Sequence, residues 1–209
     1  TTSFLVRVAT VNDTTPESTE SFSLTATMAV SSNGQSTGTA TITDNDAPPA
    51  IDLDANNSSG VTGTGYTATY TENGTGTRVV DTDLLITDAD STQLTGATIR
   101  LTNSQAGDVL SVGTLPTGIT ASVLNGVVTL SGAATLAAYQ AAMAVVTFSN
   151  ASDTPSTTAR ILQISVTDGT NTSNIATSTI NVLAVNDAPV SGSGAGNVSE
   201  EGLANGLID

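Results

Sequence analysis

The sequence predicts an all-β protein, built as tandem β-sandwich modules with one short helix. Three observations carry this. Apolar and polar residues alternate with a period of two over many short stretches, as half-buried strands require. Turn signals separate those stretches. The string Asn-Asp-Ala-Pro occurs twice, at 45–48 and 186–189, each time after a strand rich in Thr, Val and Ile. A recurring proline-bearing junction of this kind marks tandem modules joined by stiff linkers.

In chain order, Phe4, Val6 and Val8 alternate with Leu5, Arg7 and Ala9, and Phe22, Leu24, Ala26 and Met28 alternate with Ser21, Ser23, Thr25 and Thr27. Asn33-Gly34 turns the second strand into a third around Gly38–Thr43. Asn125-Gly126 predicts a tight hairpin, because both central residues of its turn need a positive φ. Ala133–Met143 breaks the period: it is rich in Ala, and Leu136, Tyr139 and Met143 share one helical face. A short helix packed across a sandwich edge follows, structural rather than cofactor-binding. Leu162, Ile164 and Val166, then Ile180 and Val182, resume the strand pattern.

The junctions divide the chain into residues 1–46, 47–190 and 191–209. The first piece holds three strands, too few to bury a core alone. The middle piece reads as a complete sandwich. The last piece reads as the start of another module, or as a segment that completes the first piece within or between chains. Both ends therefore read as cut within a domain.

With 38% hydrophobic and 11% charged residues, the chain is expected to fold rather than stay disordered. It carries 19 acidic residues against four basic ones, a net charge of −15. Such a field repels phosphate backbones and anionic membranes and gathers cations. His, Cys and Lys are absent, which removes the usual general bases, thiol nucleophiles, Schiff-base amines and zinc ligands. A carboxylate pair would be the remaining acid–base device, but Trp is absent and the tyrosines are Tyr66, Tyr70 and Tyr139. No enzyme is expected. No stretch approaches the ~20 apolar residues of a membrane span, so membrane insertion is not expected either.

The acids cluster at strand ends: Asp44 and Asp46, Asp52 and Asp54, Glu72, Asp81 and Asp83, Asp88 and Asp90, Asp168, and Asp187. Calcium takes six to eight hard oxygen ligands from carboxylates, amides and carbonyls on such loops. An Asp-x-Asp spacing turns two carboxylates to one side of an extended segment. Asp81, Asp83, Asp108 and Asp153 read instead as turn residues, since Asp favours turns whatever it binds. Asp52-Leu53-Asp54 is a weaker candidate for a further site. Arg7, Arg78, Arg100 and Arg160 lie within strands and are expected to cover sheet surface.

The series Thr71-Glu72-Asn73-Gly74, Ile86-Thr87-Asp88-Ala89-Asp90, Val166-Thr167-Asp168-Gly169 and Val185-Asn186-Asp187-Ala188-Pro189 resembles a cadherin-like domain over about residues 66–190. It is most similar to the cadherin-like repeats of giant bacterial RTX-type surface adhesins. Glu20-Ser21-Phe22 and Thr41-Ile42-Thr43-Asp44-Asn45-Asp46 resemble the end of a Calx-β-type repeat. The resemblance implies immunoglobulin/cadherin-like sandwiches on the outside of a bacterial cell. It also implies an upper calcium site of Asp44, Asp46, Asp88, Asp90 and Asp168, and a lower one of Glu72, Asn186 and Asp187. Two departures stand out. The segment from Ala50 to Tyr70 is long, and no mid-domain Asp-x-Glu completes the lower site.

Three functions are expected in order: a calcium-stiffened extender in an adhesin that attaches cells or biofilms, a filament, sheath or surface-layer subunit joined by strand complementation, and a calcium-dependent peptide- or sugar-binding head. The partners are then neighbouring modules or subunits, and the localisation is the bacterial cell surface.

Overall fold

Where β-branched and polar residues alternate, the chain pairs into sheets, and the computed structural model describes residues 7–8, 17–27, 35–43 and 46–187. Phe4, Val6, Asn33-Gly34, Asp44 and residues 191–209 lie outside the described residues, and Arg7 and Val8 carry no strand. Strands β1 (Glu20–Thr27) and β2 (Gln35–Ile42) pair antiparallel from Glu20↔Ile42 to Thr27↔Gln35. The alternation of β1 makes a strand here without making a buried face, for Leu24 is 41% exposed.

The remaining strands are β3 (Ala50–Asp52), β4 (Tyr66–Thr71), β5 (Thr77–Arg78), β6 (Leu85–Thr87), β7 (Gln93–Leu101), β8 (Asp108–Val112) and β9 (Thr120–Leu124). After them come β10 (Val127–Thr135), helix α1 (Leu136–Ala144), β11 (Val146–Asn150), β12 (Arg160–Thr167) and β13 (Ala176–Leu183). They form an all-β sandwich. A six-stranded sheet runs β4-β13-β12-β7-β10-β9, a three-stranded sheet runs β5-β11-β8, and β3 pairs with β6. The buried apolar core runs from Ile51 to Val182 and contains no residue of β1 or β2. Leu162, Ile164 and Val166 on β12 and Ile180 and Val182 on β13 all enter it, so the period of two sets which face is buried.

Asn125 (φ 51°) and Gly126 (φ 74°) close the β9–β10 hairpin, with Val127 opposite Leu124. The helix starts later than the Ala-rich run suggests. Ala133–Thr135 stay in β10 across a register shift, and the Thr135 hydroxyl accepts from the Ala138 N–H at 3.2 Å to cap α1. Tyr139, Ala142 and Met143 are its buried residues, and the Gln140 amide donates to the Leu84 carbonyl at 2.6 Å.

Two features of topology place the acids. Strand β13 runs parallel to β4 with Leu183 beside Thr71, so the chain leaves both strands at one end. Strand β12 begins at that same end, since Arg160 lies opposite Ile180. It finishes at the other, where Thr167 lies opposite Gly96.

Candidate metal centre

At the first end, Thr71-Glu72-Asn73-Gly74 turns tightly: the Gly74 N–H donates to the Thr71 carbonyl at 3.0 Å, and Asn73 takes φ 61°. Asn tolerates that left-handed conformation better than most residues. The turn sets Glu72 against the chain leaving β13. The Glu72 N–H donates to the Leu183 carbonyl at 2.9 Å, and the Val185 N–H donates to Glu72 Oε2 at 2.8 Å. Glu72 is 3% exposed, yet its buried Oε1 has no hydrogen-bond partner among the described residues.

Asp153 and Asp187 bring carboxylate oxygens to the same place, and the ligand atoms of Glu72, Asp153 and Asp187 lie within 4.8 Å of one another. Among the described residues no arginine forms an ion pair with this set. A buried carboxylate oxygen that lacks a donor costs free energy. Hard carboxylate oxygens in this number suit a hard divalent cation, and the solvent-exposed Asp153 and Asp187 leave the centre reachable. The residues present therefore fit calcium. Three carboxylates supply at most six oxygens, and water or carbonyls would complete the shell. Asn186 is exposed, and its side-chain amide donates to the Asp187 carbonyl at 3.3 Å.

Asp153, read from sequence as a turn acid, is placed by the structure beside Glu72 and Asp187. It has no local motif and reaches the centre through the β11–β12 connection. That connection is held by buried groups. Asn150 Oδ1 accepts from the Ser152 N–H at 2.8 Å, and Arg160 Nη1 donates to the carbonyls of Ser156, at 2.7 Å, and Thr158. Arg160 is a correction. It does not cover the sheet surface but is fully buried, with Nε 2.9 Å from Asp108 Oδ2 and both side chains at 0% exposure. Asp108 is thereby an ion-pair partner as well as the turn residue read from sequence: its N–H donates to the Gln105 carbonyl at 3.2 Å, and its Oδ2 accepts the Gln105 N–H at 2.7 Å. Arg78 and Arg100 are exposed on their strands as expected.

At the opposite end the sequence-predicted upper set is spread more loosely. Asp88 Oδ1 accepts the N–H groups of Asp90 and Ser91 at 3.2 and 3.0 Å, and its buried Oδ2 has no partner among the described residues. A hydrogen bond shared with Asp88 raises the Asp90 carboxyl above its ordinary 3.8, and desolvation and the charges of Asp88 and Asp46 push the same way. Asp168 Oδ1 accepts the N–H groups of Thr170 and Asn171, and the Asn171 side chain donates to the Asp46 carbonyl at 3.3 Å. The described residues bring three carboxylates within 4.8 Å at two places, and neither includes Asp46, Asp88, Asp90 or Asp168.

The second such place is Asp54, Asp81 and Asp83. Asp54 is fully buried, and its oxygens accept the Ser58 and Ser59 N–H groups at 2.9 and 2.8 Å. Burial would raise its carboxyl, but the hydrogen bonds from Ser59 and Ser58 outweigh burial and hold it below 3.8. Asp83 Oδ2 accepts the Asn56 N–H at 2.9 Å, the Ser58 hydroxyl donates to Asp81 Oδ2 at 2.9 Å, and Asp52 Oδ1 accepts the Asp54 N–H at 3.1 Å. Asp81 and Asp83, read from sequence as turn acids, thus close the Asp54 loop.

Comparison of the sequence with models of known families finds no match, and none is found among curated proteins.

Proposed function

We propose that this chain is a calcium-stabilised extender module of a large bacterial cell-surface adhesin, which spaces an adhesive tip from the cell and contributes no chemistry of its own. The observation that carries the reading is Glu72: a nearly fully buried carboxylate with one oxygen unpartnered, facing Asp153 and Asp187. Glu72 also clamps the main chain at Leu183 and Val185, where the chain leaves the last strand. An ion held there would join the end of the sandwich to the linker that begins beyond β13. Extracellular calcium modules bind at about 10⁻⁴–10⁻³ M, so the linker would stiffen outside the cell and stay unbound at cytoplasmic calcium levels. Asp46, Asp88, Asp90 and Asp168 surround the other end of the sandwich and would serve the preceding junction, together with Asp44. The partners are then the neighbouring modules of the same array. Limited proteolysis read by mass spectrometry tests this: millimolar calcium, but not magnesium, should suppress cleavage in the segment after Leu183. Equal cleavage with calcium and with chelator would refute it.

A second reading is a filament, sheath or surface-layer subunit joined by strand complementation. The observation in its favour is β9, an edge strand exposed along its whole length, with Val123 48% and Leu124 69% exposed. Sedimentation that finds only monomer at high concentration would exclude it. The peptide- or sugar-binding head gains no observation of its own, since Asp54 spends its oxygens on Ser58 and Ser59.

A further inference from the structure

Behind the Glu72 centre lies a buried polar network that an apolar core of the same volume would not need. Arg160 Nε and Nη2 reach Asp108 Oδ1 at 3.1 and 2.9 Å, and the Asn150 amide donates to the same Asp108 oxygen at 2.8 Å. The Tyr70 hydroxyl donates to the Asn150 carbonyl at 2.9 Å. Its ring meets Phe148 edge-on at 5.6 Å, and the Arg160 guanidinium lies 5.9 Å from the Phe148 ring centre. Buried ion pairs of this kind seldom add net stability over an apolar packing and are better at fixing one arrangement.

What this network fixes is visible in its outward contacts. Tyr70 is on β4, two residues before Glu72, which stands in the turn just after that strand. Asn150 and Arg160 flank the connection that carries Asp153 and hold Ser152 on one side of it, and Ser156 and Thr158 on the other. Tyr70 therefore ties the strand bearing one ligand to the root of the loop bearing another. We propose that the Tyr70–Asn150–Asp108–Arg160 network positions the cation centre, holding Asp153 opposite Glu72 before an ion arrives. The proposal rests on the calcium reading above and extends it to residues that touch no ion. A centre assembled in advance loses less ordering entropy on binding and so binds more tightly.

Tyr70→Phe tests it with little disturbance, because the ring and its Phe148 contact remain while the hydroxyl donor is lost. Tyr139→Phe is the matched control: the Tyr139 hydroxyl donates to the Gly132 carbonyl at 2.7 Å, remote in the fold from the centre. Calcium chloride titrated calorimetrically into chelator-stripped protein, well below the unfolding midpoint, reads the affinity of folded molecules alone. The expected result is a dissociation constant raised about fivefold to tenfold in Tyr70→Phe and unchanged in Tyr139→Phe. Wild-type affinity in Tyr70→Phe, or equal weakening in both variants, would overturn the positioning role while leaving the calcium centre standing. No calcium binding by the wild-type chain would overturn the calcium reading itself. Arg160→Lys gives an independent arm, since it keeps a charge for Asp108 but cannot hold both carbonyls of the loop as a guanidinium does. If it folds, its affinity should fall at least as far as that of Tyr70→Phe. Should Arg160→Lys fail to fold, Tyr70→Phe alone decides.

Discussion

Glu72→Gln keeps the shape of the side chain and removes its charge, and the structure sets the sign and size of what should follow. Without divalent cations the Glu72 carboxylate faces Asp153 and Asp187 with ligand atoms within 4.8 Å. At that separation two unit charges repel by about 0.9 kcal/mol in water and about 3.5 kcal/mol at an effective dielectric of ~20. Asp153 and Asp187 are exposed, so the aqueous figure is the better guide, and the two pairs together come to about 2 kcal/mol. The glutamine oxygen can still accept from the Val185 N–H, but it gives up the charge assistance of that bond, about 1 kcal/mol. In chelator the variant should therefore be more stable than the wild type by about 1 kcal/mol, or roughly 3 °C in midpoint. With calcium at ~100 times its dissociation constant, a wild-type site adds about 2.7 kcal/mol that the variant largely forgoes. The order of stability should then reverse, with the variant about 2 kcal/mol below the wild type. Urea unfolding followed by circular dichroism, at constant ionic strength with chelator and then with calcium, measures both differences. A variant weaker than the wild type by the same amount in both solutions would refute the reasoning and make Glu72 a structural clamp alone.

Two further outcomes follow from the fold. Gly132 lies at φ +124° on β10, and a Cβ there would sit 2.0 Å from the Gly118 carbonyl oxygen. Gly132→Ala should cost about 3 kcal/mol or more in urea unfolding, and a loss under about 1 kcal/mol would mean that the Pro116–Gly118 loop shifts freely. Tyr139 gives a pH dependence: burial raises its hydroxyl above the ordinary 10.0. Its contribution to stability is full below pH 10 and is lost as pH rises from there through the folded value, because the unfolded chain ionises first. Tyr66, raised by burial and by the charges of Asp81 and Asp54, acts in the same direction. Unfolding midpoints measured from pH 9 to 12 should fall less steeply in Tyr139→Phe than in the wild type, and identical slopes would contradict this.

Much of the sandwich was legible because burial on one face writes a period of two. Leu162, Ile164 and Val166 are buried together, and the Asn125-Gly126 turn has positive φ at both residues. The same pattern holds a further signal: Arg160 is in phase with Leu162, and so points inward. Its partner Asp108 lies 52 residues away on β8, a pairing that no local pattern encodes. Asp153 is the harder case. Nothing around it distinguishes a ligand from a turn acid, and only the folding of the β11–β12 connection brings it to Glu72. In β1, alternation was a sound guide to the strand and a poor one to burial. Whether an alternating face is covered depends on the surface it meets, and the strand's own sequence does not hold that information.

The proposed calcium centre is tested most directly by counting what it binds. Calorimetric titration of calcium into the chelator-stripped chain should give saturable binding at about 10⁻⁴–10⁻³ M, the range of extracellular modules. Asp153→Asn should weaken one class of site about tenfold, and Glu72→Gln should weaken the same class, with magnesium unable to substitute. Absence of saturable heat in the wild type, or identical isotherms for the wild type and both variants, would contradict the account.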